Sequence, residues 1–233
     1  MKRYDLITFD MGYTLAYFHP SEEELFLSAL RSVGLEIDPA AVRQARNTAW
    51  REYFASIGGT TFEATEERDR MAEAWIMAQT LAHCGVHDQG LVDIVCKASK
   101  AVFKAPGAVR LYDEVLDVLK ALRAIGRRLG IVSNWSWDLH EYVHMLGLTP
   151  YFDVIVGSAR VGCEKPHPRI FGEALQAVGV PPERALHVGD SYEADVLGAR
   201  AAGMDALWLD RAGAGGHPDC RSIRDLRAVL EIT

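Results

Sequence analysis

Three short apolar runs in this sequence lead into a polar residue that could take part in catalysis. Asp10 ends YDLITFD, Ser133 lies in IVSN, and Asp190 ends ALHVGD. Lys165 follows a fourth run, in the loop GCEKPHP. Brought together, two carboxylates, a hydroxyl and an ammonium group would suit phosphoryl transfer, because a carboxylate can attack a phosphoryl group once cations neutralise their repulsion. The hard oxygen ligands favour Mg²⁺ as one of those cations.

These residues can meet only if the runs that carry them are strands of one sheet. Five runs are short and apolar, as buried strands are: 4–10, 127–134, 152–158, 185–190 and 205–210. Helical patterns separate them, such as the one that Gly126 closes and the one that Gly179 closes. Alternating strands and helices predict an α/β fold, with a Rossmann-like three-layer core around a parallel sheet. Ligands bind beyond the carboxyl ends of such strands, where the four polar residues stand.

Residues 17–107 interrupt that alternation, because they contain four helical stretches and no convincing strand. We expect them to form a helical cap domain, inserted into a core of residues 1–16 and 108–233. The insert leaves the core after the first strand, so we expect it to cover the carboxyl end of that strand. Three helix starts are predicted from N-cap patterns: Ser21 with Glu24, Thr60 with Glu63, and Asp38 before Pro39.

Composition and charge narrow the class of partner. The net charge of −7 argues against a nucleic-acid partner or an anionic membrane surface, which basic proteins usually bind. The four cysteines form no CxxC pair, so free thiols and a reducing cytoplasm are expected. No apolar run reaches the length of a membrane span, and the amino terminus lacks a signal-like stretch. We expect a monomer or homodimer in the cytoplasm.

Four segments in this order, FDMGYTL, IVSN, EKPHPRIF and GDSYEAD, resemble the signature motifs of the haloacid dehalogenase superfamily. The insert resembles that family's helical cap of the first type, as in phosphoglycolate phosphatase-like and dehalogenase-like members. The resemblance implies a magnesium-dependent phosphatase. Such an enzyme would hydrolyse a small phosphorylated metabolite through an aspartyl-phosphate intermediate.

The resemblance also implies a role for each matching residue. Asp10 would be the nucleophile, Ser133 would bind the phosphoryl group, and Lys165 would pair with both. Thr14 would support the loop that carries Asp10, and Asn134 would lend a hydrogen-bond donor to the substrate. The magnesium ligands would be Asp10, the backbone carbonyl of Gly12, Asp190 and Asp195, the last directly or through water.

One position departs from the phosphatase pattern. Phosphatases of this family usually carry a second aspartate two residues after the nucleophile, where this chain has Gly12. The loss of a general acid slows the departure of an alkoxide by roughly 10²–10⁴-fold. Either another group replaces it, with His19 and Tyr13 as candidates, or the substrate has a less basic leaving group, such as an anomeric sugar oxygen.

Three alternatives remain open. Haloacid dehalogenases also lack the second aspartate, but they lack the acidic pair that Asp190 and Asp195 form here. Phosphonoacetaldehyde hydrolase uses a cap lysine, whereas the only lysines of this insert lie near its end: Lys97, Lys100 and Lys104. A non-catalytic regulator of the same fold is the third alternative, which the retention of the other polar strand ends disfavours.

Other patterns have simpler structural interpretations. HEYVH at 140–144 matches a zinc-protease motif but follows Ser133 in a helix, and we interpret it as an exposed helix face. GAGG at 213–216 follows the last strand and is predicted to be a loop rather than a dinucleotide site. Two further groups belong to the insert. We interpret the aromatic residues Trp50, Phe54 and Trp75 as packing within the cap. The arginines either face the substrate or lie on a solvated face: Arg43, Arg46 and Arg51.

Overall fold

The computed structural model describes residues 4–57, 60–213, 217 and 219–232. The chain divides into two compact units. The core unit consists of Met1–Ala16 and Leu111–Thr233, and the helical unit is Tyr17–Arg110. Each unit contains an apolar cluster of its own, as separate domains do.

Eight strands are described: β1 (Leu6–Phe9), β2 (Ala16–Phe18), β3 (Val109–Leu111), β4 (Arg128–Ser133), β5 (Val154–Gly157), β6 (Ala185–Gly189), β7 (Asp205–Leu209) and β8 (Ser222–Ile223). Six of them form the sheet of the core unit in the order β5-β4-β1-β6-β7-β8, and all their pairings are parallel. The two remaining strands, β2 and β3, pair with each other where the chain passes between the units. The five predicted strands are confirmed, whereas the three shortest strands were missed.

Nine α-helices are described: α1 (Glu22–Ser32), α2 (Pro39–Ile57), α3 (Glu66–His83), α4 (Gln89–Phe103), α5 (Val115–Ala124), α6 (Leu139–Met145), α7 (Ser158–Val161), α8 (Pro168–Val178) and α9 (Gly198–Ala201). The last five belong to the core unit and connect its parallel strands. The α/β, Rossmann-like prediction is therefore confirmed.

The central strand β1 is apolar except for Thr8, because both of its faces are covered. All four of its residues are buried, and it lies between β4 and β6. Helix α8 packs on β4 and β5 through its buried residues Ile170, Phe171, Ala174 and Leu175. It starts at a proline in the first turn and ends at Gly179, whose φ of 63° is left-handed. Helix α8 therefore covers one face of the sheet along β4 and β5.

The helical unit consists of helices α1 to α4 around their own apolar cluster. Ser21 and Glu24 form the predicted capping box at the start of α1. Asp38 accepts a hydrogen bond from the backbone N–H of Ala41 at the predicted start of α2. The prediction at Thr60 was wrong, because α3 begins later, with Thr65 as its N-cap. The Thr65 hydroxyl accepts a hydrogen bond from the backbone N–H of Arg68, as an N-cap residue does. Glu66 and Glu67 then place negative charge in the first turn, which stabilises the start of a helix.

The cysteines, the possible membrane spans and the GAGG segment were the subject of three further expectations from the sequence. All four cysteines are free thiols. Among the helices in the described ranges, none has the length and apolar character needed to cross a membrane. In the GAGG segment, Gly213 has a φ of 69° and directly follows a turn. Residues 214–216 lie outside the described part of the chain.

Candidate active site

The polar residues predicted at strand ends lie at one edge of the core sheet. Asp10 directly follows β1, Ser133 is the last residue of β4, and Asp190 directly follows β6. The register of the parallel pairs places the ends of these three strands side by side, because Phe9 is opposite both Ile131 and Val188. The edge is therefore the carboxyl edge at which open parallel sheets bind ligands.

Asp10 is fixed through one of its two carboxylate oxygens. Its Oδ1 accepts a hydrogen bond from Ser133 Oγ at 2.9 Å and another from Lys165 Nζ at 2.6 Å. Among the described residues, no hydrogen bond reaches its Oδ2. Asp10 is 7% exposed, and burial raises the pKa of its carboxyl despite the nearby ammonium group. One oxygen is thus oriented by donors while the other is left for a ligand or a cation.

Lys165 connects two carboxylates. Its Nζ lies 2.6 Å from Asp10 Oδ1 and 2.5 Å from Asp195 Oδ1, and its side chain is 3% exposed. Burial alone would lower the pKa of Lys165, but the two carboxylates outweigh burial and raise it above its usual value. The side chain is therefore a permanent cation inside the site.

The backbone of Lys165 is held by Asn134. The Asn134 side-chain amide donates to the Lys165 carbonyl at 3.1 Å, and its oxygen accepts from the Lys165 N–H at 2.7 Å. The predicted role for Asn134 was a donor to the substrate. In the structure the amide nitrogen and oxygen of the side chain both contact the Lys165 backbone, so Asn134 joins the segment after β4 to the loop between α7 and α8.

Asp195 is held by a buried network that the sequence did not reveal. Asp195 Oδ1 is also 3.0 Å from His187 Nε2, and His187 Nδ1 lies 2.8 Å from Thr8 Oγ1. Burial lowers the pKa of His187, which is fully buried on β6. Lys165 and His187 hold the pKa of Asp195 well below its usual range, although burial opposes them. Asp195 is thereby kept anionic between the lysine and the sheet.

Asp190 stands beside these groups with little compensation for its charge. Burial first, and then the Asp10 and Asp195 carboxylates, raise its pKa to about 7. Thr14 Oγ1 lies 3.5 Å from Asp190 Oδ1, at the limit of a hydrogen bond. The indole Nε1 of Trp208 donates to the Asp190 backbone carbonyl at 2.9 Å and fixes the turn.

The charges of this edge are unbalanced in a way that suits a divalent cation. Three carboxylates, on Asp10, Asp190 and Asp195, lie near one another at this edge, and the ammonium group of Lys165 contacts two of them, Asp10 and Asp195. An excess of buried negative charge is costly unless a cation neutralises it. Within the described residues, no three side chains of His, Cys, Asp or Glu form a metal-binding group by themselves. A metal would therefore need backbone or water oxygens in addition to these carboxylates, as magnesium commonly does.

The loop after Asp10 makes a tight turn. Gly12 lies two residues after Asp10, and an added Cβ there would meet the Trp135 ring at 3.6 Å. Tyr13 has a φ of 55°, which is uncommon for a residue other than glycine, and its side chain is 43% exposed. His19, the other candidate for the missing acid, belongs to the helical unit.

The arginines and aromatic residues singled out in the insert contact other residues of the helical unit. Arg43 pairs with Glu23 at 2.8 Å, and Arg46 pairs with Glu22 at 2.6 Å, so both arginines form ion pairs within the helical unit. Arg51 donates to Asn47 and Thr48 one turn earlier. Three aromatic residues pack around Tyr53 while remaining about two-fifths exposed: Trp50, Phe54 and Trp75.

The zinc-motif match is not a metal site in the structure. His140, Glu141 and His144 lie on α6 and are exposed. No metal-binding group of side chains occurs among the described residues, which include this helix. The interpretation of this segment as an exposed helix face is confirmed.

Comparison with known proteins agrees with the geometry. A family model described as haloacid dehalogenase-like hydrolase matches residues 4–203. The chain is 32% identical over 227 residues to haloacid dehalogenase-like hydrolase domain-containing protein 3 of Mus musculus, covering 94% of this chain and 86% of the relative. It is 31% identical over 248 residues to a phosphoserine phosphatase of Thermus thermophilus, covering 97% of each. The HAD-hydrolase YfnB of Bacillus subtilis, whose crystal structure contains magnesium, shares the fold with a TM-score of 0.77, 23% identity and 99% coverage of both chains.

Proposed function

This chain belongs to the haloacid dehalogenase-like hydrolases, and from that premise we propose that it is a magnesium-dependent phosphatase with Asp10 as its nucleophile. The observation that carries the proposal is the convergence of Ser133 and Lys165 on one oxygen of Asp10. The similarity to a phosphoserine phosphatase over almost the whole chain supports a small phosphorylated substrate.

The first step transfers the phosphoryl group to the protein. A carboxylate oxygen of Asp10 attacks phosphorus, an O–P bond forms, and the bond from phosphorus to the leaving oxygen breaks. Lys165 and Ser133 already donate to this carboxylate and can shift their hydrogen bonds to the phosphoryl oxygens as charge develops on them. The product is an aspartyl phosphate and the free alcohol, once the leaving oxygen has gained a proton.

The second step returns the protein to its starting state. Water attacks the phosphorus of the acyl phosphate, the bond to Asp10 breaks, and inorganic phosphate leaves. The Lys165 ammonium group, which lies 2.6 Å from Asp10 Oδ1 in the resting site, stabilises the carboxylate as it returns. Asp195 holds the lysine in place through its ion pair at 2.5 Å.

The residues that would hold magnesium are Asp10, Asp190 and the carbonyl of Gly12, with Asp195 acting through water because its oxygens already accept from Lys165 and Ser191. The ion would supply the charge that lets two anions, the carboxylate and the phosphoryl group, approach each other. The excess of three carboxylates over one ammonium group fits such an ion. The Oδ2 of Asp10, to which no described residue donates, offers it a free ligand.

The substrate that we propose has a leaving group that needs little protonation. Gly12 provides no acid at the position where related phosphatases have an aspartate, and Trp135 lies 3.6 Å from where its Cβ would be. An anomeric sugar oxygen is a weaker base than a simple alkoxide, so a sugar 1-phosphate suits this site better than an alkyl phosphate. Equal or faster turnover of alkyl esters would contradict this part of the proposal.

The experiment that tests the function is a magnesium-dependent screen of phosphorylated sugars, acids and nucleotides, beside p-nitrophenyl phosphate. The same protein is assayed on 2-haloacids without metal. We expect phosphate release that requires magnesium and that Asp10→Asn abolishes. Release of halide without metal, or activity that survives Asp10→Asn, would contradict the proposal and favour the dehalogenase or a contaminating enzyme.

A further inference from the structure

An arginine remote from the four motifs contacts both chain segments that lead towards the helical unit. Arg211 lies two residues after β7, and its side chain is 19% exposed. Its Nη2 donates to the carbonyl of Thr14 at 2.8 Å, and its Nε donates to the carbonyl of Tyr13 at 3.3 Å. Both carbonyls belong to the turn that directly follows Asp10.

The opposite side of the guanidinium contacts the returning segment. Its Nη1 lies 2.7 Å from Glu114 Oε1, and its central carbon lies 3.5 Å from the ring centre of Tyr112. Glu114 is 4% exposed. The Tyr112 backbone N–H in turn donates to the carbonyl of Leu15 at 3.2 Å. One side chain therefore binds the outgoing turn, the returning segment and the end of β7 together, all within the core unit.

Only arginine can make this set of contacts. Its planar group carries five N–H donors in a fixed arrangement, so it can donate to two carbonyls while its charge lies against the Glu114 carboxylate. A lysine could keep the charge next to Glu114 but has a single nitrogen to share among the three acceptors. The turn it would hold includes Tyr13, whose left-handed φ of 55° needs support from its surroundings.

We propose that Arg211 is a positioning residue for the reaction of Asp10, and this inference rests on the proposed function. The carbonyls that Arg211 binds belong to Tyr13 and Thr14, three and four residues after the nucleophile, and both directly follow Gly12 in the same turn. Loss of these contacts releases the turn and displaces the attacking oxygen. A displacement of about 1 Å lowers the rate about 100-fold even when binding is intact.

The test compares Arg211→Ala and Arg211→Lys with Arg184→Ala. The control removes an arginine that also pairs with a carboxylate, Asp5 at 2.6 Å, but near the amino ends of the strands. We expect Arg211→Ala to lower kcat about 100-fold with little change in KM, because Ser133 and Lys165 still bind the phosphoryl group. Arg211→Lys should recover only part of the loss, and Arg184→Ala should leave kcat unchanged.

Two further readouts separate positioning from a loss of stability. Added guanidinium ion should restore turnover to Arg211→Ala, whereas ammonium ion should not. Hydrogen–deuterium exchange of the peptide covering residues 11–16 should become faster in Arg211→Ala than in the wild type, and should stay unchanged in Arg184→Ala. If Arg211→Ala does not fold, Glu114→Gln takes its place in the measurements of kcat and of hydrogen–deuterium exchange, with a smaller effect expected and no guanidinium arm.

The outcomes are distinguishable. A wild-type kcat in Arg211→Ala would overturn the inference, and so would a lowered kcat with unchanged exchange and no guanidinium rescue. If the wild type hydrolyses no phosphate ester, the proposed function fails instead, and the exchange comparison still decides whether Arg211 orders the turn.

Discussion

Removing the charge of Lys165 is the most informative single perturbation of the site. In Lys165→Met the side chain keeps its apolar stem but loses the ammonium group that lies 2.6 Å from Asp10 and 2.5 Å from Asp195. Three carboxylates then share a buried edge without a cation from the protein. Breaking a buried ion pair by removing one partner costs about 3–5 kcal/mol. For a chain of this size that is a fall in Tm of about 6–20 °C.

The sign of the pH dependence follows from the same contacts. In the wild type the pKa of Asp195 is lowered, so its stabilisation is present above the usual carboxyl pKa and is lost as the pH falls below it. Lys165→Met lacks most of that stabilisation. The difference in stability between variant and wild type should therefore be largest near neutral pH and should shrink in acid.

The assay is thermal unfolding at several pH values in the presence of a chelator, and again with added magnesium. The matched control is Lys120→Met, which removes an exposed lysine from α5. We expect magnesium to raise the Tm of Lys165→Met more than that of the wild type, because the variant has more uncompensated negative charge. A neutral-pH Tm equal to that of the control, with the same response to magnesium, would refute the electrostatic reasoning.

Three other predictions concern neighbouring groups. The pKa of Asp190 is about 7 without metal, so magnesium affinity measured by calorimetry should fall about tenfold per pH unit below that value and level off above it; a flat profile would contradict this. His187→Phe removes a hydrogen bond to the charged Asp195, and denaturant unfolding should show a loss of about 1.5–3 kcal/mol, while an unchanged midpoint would count against the network. Gly189→Ala places a Cβ 2.1 Å from Asp195 Cγ and should reduce both Tm and kcat, whereas Gly172→Ala, with open space around it, should reduce neither.

The sequence was sufficient for the fold because its local signals agree with one another. Each long buried strand is mostly apolar, since helices cover both faces of a parallel sheet and neither face is exposed to solvent. The strands that were missed are two or three residues long, so they carry too few side chains for a pattern. The start of α3 was misplaced because Thr60 and Thr65 both offer a threonine oxygen ahead of acidic residues.

Only some of the site residues could be predicted from the sequence. The ends of parallel strands must meet at one edge, and this placed Asp10, Ser133 and Asp190. Arg211 could not be found in this way, because its partners are mostly backbone carbonyls and a carboxylate far away in the sequence. His187 offered one signal, a polar residue two positions before the end of β6, inside an otherwise apolar strand.

Whether Asp10 forms a covalent bond to phosphorus can be determined by trapping the intermediate. The protein is mixed with magnesium and a substrate identified by the screen, quenched during turnover and treated with borohydride, which reduces an acyl phosphate of aspartate to homoserine. Peptide mass spectrometry then locates the reduced residue. We predict homoserine at position 10, lost without magnesium. Reduction at Asp190 or Asp195 instead, or none at any residue while phosphate is being released, would contradict the account.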